Sequence, residues 1–203
     1  MTRGRWATAL VAALVLGWIV FALSPFVALY RLAAAVQARD AGAVAARVNF
    51  RTLRVSLTRQ ALAAVLEAAT ARRDLDPRDR QLVIDAAGSL VEPLIASLVT
   101  PETVLDLLDD GWPQSLALPP RETRGGGLPQ PSLGPLTRLV LGAESRGFRG
   151  VVVPVPPDRP RAEQLRLRLR LSGFNWRLTE IEVPAELRER LTQRLVRVGD
   201  LHR

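Results

Sequence analysis

Gln164-Leu-Arg-Leu-Arg-Leu-Arg-Leu171 is the stretch that decides the fold. Leucine and arginine alternate without error, so Leu165, Leu167, Leu169 and Leu171 share one face of an extended strand and Arg166, Arg168 and Arg170 share the other. A helix would scatter these leucines around its axis; a half-buried β-strand collects them. Ser172-Gly173 then turns the chain, and Trp176-Arg-Leu-Thr-Glu-Ile-Glu-Val183 returns as a partner strand. In that partner the alternation slips. Trp176 and Leu178 have one parity, Ile181 and Val183 the other, and a bulge at Thr179-Glu180 brings all four to one side. Pro184 ends the strand, and Leu187, Leu191 and Leu195 make one stripe of a last helix over about 185–196.

Upstream, Phe148-Arg-Gly-Val-Val-Val-Pro154 reads as a further strand, with Leu139–Ala143 a candidate for another. Before these, residues 112–137 hold six prolines and four glycines and almost no periodic apolar pattern. That segment reads as a loop, and residues 122–130 within it are expected to add little to stability. Residues 24–111 instead carry helical spacing nearly throughout. Ser24-Pro25 is a cap-then-proline start for a stripe of Phe26, Leu29, Tyr30, Ala33 and Val36. Asp40 caps a short helix, Ala41–Arg47. Asn49 caps a longer one, about Phe50–Arg72, whose Leu53, Leu57, Ala61, Ala64 and Ala68 call for good burial, with Leu62, Val65 and Leu66 widening the stripe. Asp76-Pro77 starts a helix to Val99 with a kink or break near Val91, since Pro93 lacks an N–H. Thr100-Pro101 starts another that stops at Gly111.

The first residues differ from all of this. Trp6 to Leu23 is an 18-residue run without charge, preceded by Arg3 and Arg5. As a helix it spans about 27 Å, close to the hydrocarbon thickness of a bilayer. Residues 1–23 therefore read as a transmembrane anchor. A cleaved signal peptide with Val20-Phe-Ala22 as its site is the alternative. The expected fold is α+β: an N-terminal transmembrane helix, then residues 24–203 as a helical layer on a three- to four-stranded antiparallel sheet with a C-terminal helix. Arg3 and Arg5 stay inside under the positive-inside rule, which puts a single-pass protein in the inner (cytoplasmic) membrane of a bacterium with its domain on the periplasmic side.

Composition narrows the chemistry. The chain has no cysteine, which excludes disulfides, thiol catalysis and cysteine metal sites. Its one histidine, His202, is the penultimate residue, so no histidine triad or zinc site is expected. Net charge is +8, unevenly spread: residues 40–112 carry −3 and residues 143–203 carry +5. Nucleic acid is a poor partner, because the arginines lack interleaved aromatics. Asp106, Asp109 and Asp110 crowd one helix end and are weighed as an acidic catalytic dyad, against a plain solvated face. Ser56, Ser89 and Ser97 have no lysine partner anywhere in the chain. Gly125-Gly-Gly127 lacks the strand and helix that a phosphate cradle needs.

Two groups of residues remain as binding candidates. Arg166, Arg168 and Arg170 form a row suited to an anionic surface, unless Glu180 and Glu182 pair with them and leave a solvated, salt-bridged face. Tyr30, Phe50 and Trp176 are the aromatics expected inside, as parts of a packed core or, alternatively, as the lining of an apolar cavity between helices and sheet. The expected function is that of a non-enzymatic membrane-anchored envelope module, without cofactor, for a lipid, an apolar ligand or a protein partner. The alternative is a carboxylate-dependent hydrolase or transferase of the envelope.

Two stretches resemble a known family. Ser24-Pro-Phe-Val-Ala-Leu-Tyr30, followed by Asp40, Val48-Asn-Phe50 and Leu53-Arg-Val-Ser-Leu57, is one; Gly173-Phe-Asn-Trp-Arg-Leu-Thr-Glu-Ile-Glu-Val-Pro184 is the other. Both are similar to the bacterial membrane-anchored family catalogued as domain of unknown function 2939. The family pattern has Asp at the place of Asn49 and Tyr at the place of Phe26, changes that a cap and an apolar stripe tolerate. The resemblance implies a membrane anchor and an exported domain, and it brings no activity and no site residues. Helices against a curved sheet with a Trp-bearing last strand are also similar, in architecture only, to the nuclear-transport-factor-like cone.

Overall fold

The computed structural model describes residues 2–71, 76–111, 127–128 and 133–189. Six helices and four strands follow in order: α1 Thr2–Gln37, α2 Ala41–Arg47, α3 Phe50–Ala71, α4 Pro77–Leu98, α5 Pro101–Asp110, α6 Leu133–Gly142, β1 Glu144–Ser145, β2 Gly150–Val155, β3 Leu165–Ser172 and β4 Asn175–Glu182. A short helix at 185–189 ends the described chain, and its Leu187 is buried. Of the expected last stripe, Leu191 and Leu195 lie outside the described residues.

The sheet is antiparallel throughout, with strand order β1-β2-β3-β4. Leu165, Leu167 and Leu169 of β3 are at most 2% exposed and face the helices. Each buried leucine of this kind stabilises the fold by about 1.5–3 kcal/mol. The bulge falls where the alternation slips: Arg168 pairs with Glu180 but Leu169 pairs with Leu178, leaving Thr179 as the extra residue. Trp176, Leu178, Ile181 and Val183 are consequently all buried on one face. The β3–β4 turn is one residue later than the sequence suggests. Ser172 pairs with Asn175 across Gly173-Phe174, because Gly173 takes the left-handed conformation (φ 62°).

The free edge of β4 is covered by the chain entering α3. Asn49 N–H donates to Leu178 O (2.8 Å), and the Gln60 side-chain amide donates to Ile181 O (2.9 Å). Two carbonyls that an open edge would leave facing outward are thus satisfied by helix residues. Three local caps behave as their residue types require, while Asp76 at the start of α4 makes no side-chain cap bond. Asp40 Oδ1 accepts from Ala43 N–H (2.8 Å), Asn49 Oδ1 from Thr52 N–H (3.3 Å) and Thr100 Oγ1 from Thr103 N–H (3.2 Å), and Gly111 stops α5 at φ 71°.

Several expectations are corrected. The cap-then-proline signal at Ser24-Pro25 starts no new helix, since α1 runs unbroken through it. α4 likewise continues through Pro93 to Leu98. Pro93 is exposed, as is Ser89 one turn before it, so the helix carries its proline on a wet face. α3 is well buried only in part. Leu53, Ser56, Val65 and Ala69 are covered, whereas Leu57, Ala61, Leu62 and Ala64 are half-buried and Leu66 is exposed.

Leu139–Ala143 is no strand. Its first four residues end α6, which also takes 133–137 out of the expected loop, and Ala143 follows the helix. A short apolar run does not distinguish the two states, and here the neighbouring contacts favour the helix, with Leu139 in the core. Residues 127–128 are not idle either. Leu128 N–H donates to Leu108 O (2.6 Å), its side chain is buried, and a Cβ on Gly127 would overlap the Asp109 carbonyl.

The core joins Leu29, Leu32 and Val36 of α1, Val44 of α2, Leu53 of α3 and Leu108 of α5 to the apolar face of β2, β3 and β4. Only the last third of α1 takes part. Trp6, Leu10, Leu14 and Trp18 are each more than half exposed. The helix is about 54 Å long, so roughly half of it projects beyond the domain as a bare apolar arm. Among the described residues it is the one helix long and apolar enough to cross a membrane.

Candidate functional site

The junction between this arm and the sheet is built around a proline problem. Pro25 has no N–H to give to Phe21 O, four residues back, so a continuous helix there leaves a carbonyl without its donor. Ser24 supplies it: the hydroxyl donates to Phe21 O at 2.6 Å. The same oxygen accepts the indole N–H of Trp176 at 2.7 Å. The Trp176 ring also meets Phe21, centroids 6.5 Å apart and tilted by 50°. Pro25 itself is buried. A side chain from the sheet thus clamps the helix at the residue where its apolar arm ends.

The three aromatics weighed as core or cavity lining have separate surroundings. Trp176 belongs to this clamp, and Phe50 lies under the Arg54 guanidinium (6.0 Å), whose Nη2 also donates to Val99 O (3.0 Å). Tyr30 is not inside: it stands 41% exposed, about 100° around α1 from Leu29, while the buried face runs through Pro25, Leu29, Leu32 and Val36.

The arginine row divides in two. Arg166 does not point into solvent as alternation predicts. It is 4% exposed, held by Glu144 from β1 (2.8 Å) and by Glu182 from β4 (3.3 Å), opposite Pro154 of β2. Its place on an inner strand lets acids from both sides close over it. The hydrogen bond from Arg166, reinforced by its charge, holds the Glu144 carboxyl below its ordinary 4.5. Arg168 is exposed and pairs with Glu180 at 3.1 Å. Arg170 lies opposite another arginine, Arg177, and both are exposed.

The acidic helix end is occupied in the same manner. Arg39, at the turn after α1, reaches Asp106 (2.8 Å) and Asp109 (3.1 Å) at once. These carboxylates tie α5 to the end of α1. Ser56 Oγ accepts from Gln60 (3.2 Å) and Ser97 donates to Leu94 O (2.8 Å), both local contacts. Among the described residues no three His, Asp or Glu side chains are placed to hold a metal ion. His202 lies outside them.

Residues 14–107 match a family model described as "Protein of unknown function (DUF2939)". The matched family is DUF2939. The match begins within the apolar arm and ends in α5, so it covers the first of the two resembling stretches and leaves the sheet, with Gly173–Pro184, outside it. Comparison with curated proteins and with solved structures gives no match. The DUF2939 description carries no activity, and the site rests on its own geometry. What sequence reasoning missed is Ser24: it reads as a cap, and its role as a bridge needs Trp176, which lies 152 residues away.

Proposed function

We propose that this chain is a single-pass, non-enzymatic envelope protein whose domain is an interaction module held directly on the bilayer surface. The observation that carries this reading is the Trp176–Ser24–Phe21 clamp, which lets one helix serve both as apolar arm and as core element with no linker between. A module that reads or shapes what lies at the membrane gains from being fixed in this way. Support also comes from the carboxylates. Asp106, Asp109, Glu144, Glu180 and Glu182 are each engaged by an arginine. Arg3 and Arg5 support an N-terminus inside and a periplasmic domain.

Native mass spectrometry of the full chain in mild detergent tests the module reading, and a periplasm-active reporter fused after Arg203 tests the orientation. Co-purifying lipid or a stoichiometric partner and an active reporter are expected. A bare chain that turns over envelope esters or glycosides would overturn the non-enzymatic reading, and a silent reporter the orientation.

A further inference from the structure

Two hairpin tips stand side by side at one end of the sheet. One is Gly173-Phe174, between β3 and β4; the other is Arg146–Arg149, between β1 and β2, with Gly147 at φ 78°. Leu171 N–H donates to Arg149 O (2.9 Å), which fastens the tips together. Each holds up a phenylalanine: Phe174 is fully exposed and Phe148 is 84% exposed. Rings left bare at adjacent turns are unusual in a chain that has only 5 phenylalanines.

This end of the sheet is the end nearest the apolar arm. Trp176, two residues from Phe174, is the side chain bonded to Ser24, where the 18-residue uncharged run stops. From there β4 leads away from the arm, Leu178 meeting Asn49 and Ile181 meeting Gln60. The charge pattern follows the same axis. Arg166 and Arg168, farther along β3, have acids. Arg149, Arg170 and Arg177, at the tips, are exposed and make no ion pair among the described residues. No Asp or Glu occurs in residues 145–157 or 164–179. Arg170 and Arg177 even face each other in register, which is unfavourable unless an anion lies between or over them.

We propose that this end of the sheet sits in the headgroup layer of the bilayer that α1 crosses, with Phe148 and Phe174 entering the acyl boundary and Arg149, Arg170 and Arg177 on anionic lipid phosphates. Aromatic rings flanked by arginines are the composition that binds such an interface. The domain then has a second attachment beside its helix, and its sheet stands with the hairpin tips on the lipid. The inference rests on α1 being a membrane span, and the test separates the two.

The chain has no cysteine, so single sites can be spin-labelled without background. Full-length Phe148→Cys, Phe174→Cys, Leu14→Cys and Ala162→Cys are reconstituted at low density in phosphatidylcholine vesicles with and without phosphatidylglycerol. Collision rates with oxygen and with a water-soluble nickel chelate are read by electron paramagnetic resonance. Both tip labels should show a several-fold lower nickel collision rate than Ala162, which is exposed at the opposite end of the sheet. Changing Arg149, Arg170 and Arg177 together to Gln should raise that rate in the anionic vesicles.

Tip labels as wet as Ala162, with Leu14 in the bilayer core, would overturn the inference and leave the span intact. A wet Leu14 would remove the span beneath it. Protection that disappears on diluting the chains in lipid would assign the tips to a second copy instead, and protection untouched by the triple change would remove the anionic lipid.

Discussion

Replacing Ser24 with Ala removes both halves of the clamp at once. Phe21 O loses its donor, with none to come from Pro25, and the Trp176 indole N–H loses its acceptor at a site where the residue is only 9% exposed. Each bond is worth about 1 kcal/mol net, and somewhat more where the stranded group stays dry. The expected loss is about 2 kcal/mol. For a chain of this size that lowers the melting temperature by about 4–8 °C, followed by near-ultraviolet circular dichroism of the full chain in detergent. The decisive comparison is the same change in a Pro25→Ala background. There the restored backbone N–H can satisfy Phe21 O, so Ser24→Ala should lose only the tryptophan bond, about half as much. Equal losses in both backgrounds, or no loss in either, would refute the account of the junction.

Leu128→Ala should cost about 2–5 kcal/mol by emptying a buried site under α5, measured by chemical denaturation; a neutral result would mean that residues 127–128 do not pack. Deleting Thr179 should leave the fold intact, since without the extra residue Trp176, Leu178, Ile181 and Val183 fall on one parity and the β3–β4 register runs straight through; loss of cooperative thermal melting would refute this account of the bulge. Glu144 is held below 4.5 by Arg166, so its contribution to stability is present above that pH and is lost as pH falls through the lowered value. Glu144→Gln should therefore flatten the decline in melting temperature below pH 4.5, and an unchanged profile would assign the acid sensitivity elsewhere.

Features set by neighbours in sequence were legible. The caps at Asp40, Asn49 and Thr100 and the stop at Gly111 need only residues within one turn, and they are where the residue types place them. The bulge was legible for a different reason: a change of parity in one strand has few other remedies. Misreadings arise where a distant group decides. Ser24-Pro25 reads as a helix start until Trp176 and the Phe21 carbonyl are brought together. Arg166 reads as solvent-facing until Glu144 and Glu182 close over it from flanking strands. Leu139–Ala143 is too short for periodicity to choose a state, and packing chose the helix. The candidate surface was half visible, since alternation singles out Arg170 but cannot tell which end of the strand lies beside the arm.

The unbroken α1 makes the domain a lever. From Ser24 to Gln37 the helix rises about 20 Å inside the domain, and its one proline, Pro25, is held by the Trp176–Ser24 clamp. Transmembrane helices lean on average about 20° from the membrane normal and lean further where the lipid is thin. A change of that size at the base moves the far end of the helix sideways by about 7 Å, and carries the whole sheet with it. With α1 spanning a bilayer as proposed, bilayer thickness is converted into the posture of the folded domain, and the reach of that domain is set by geometry at the base.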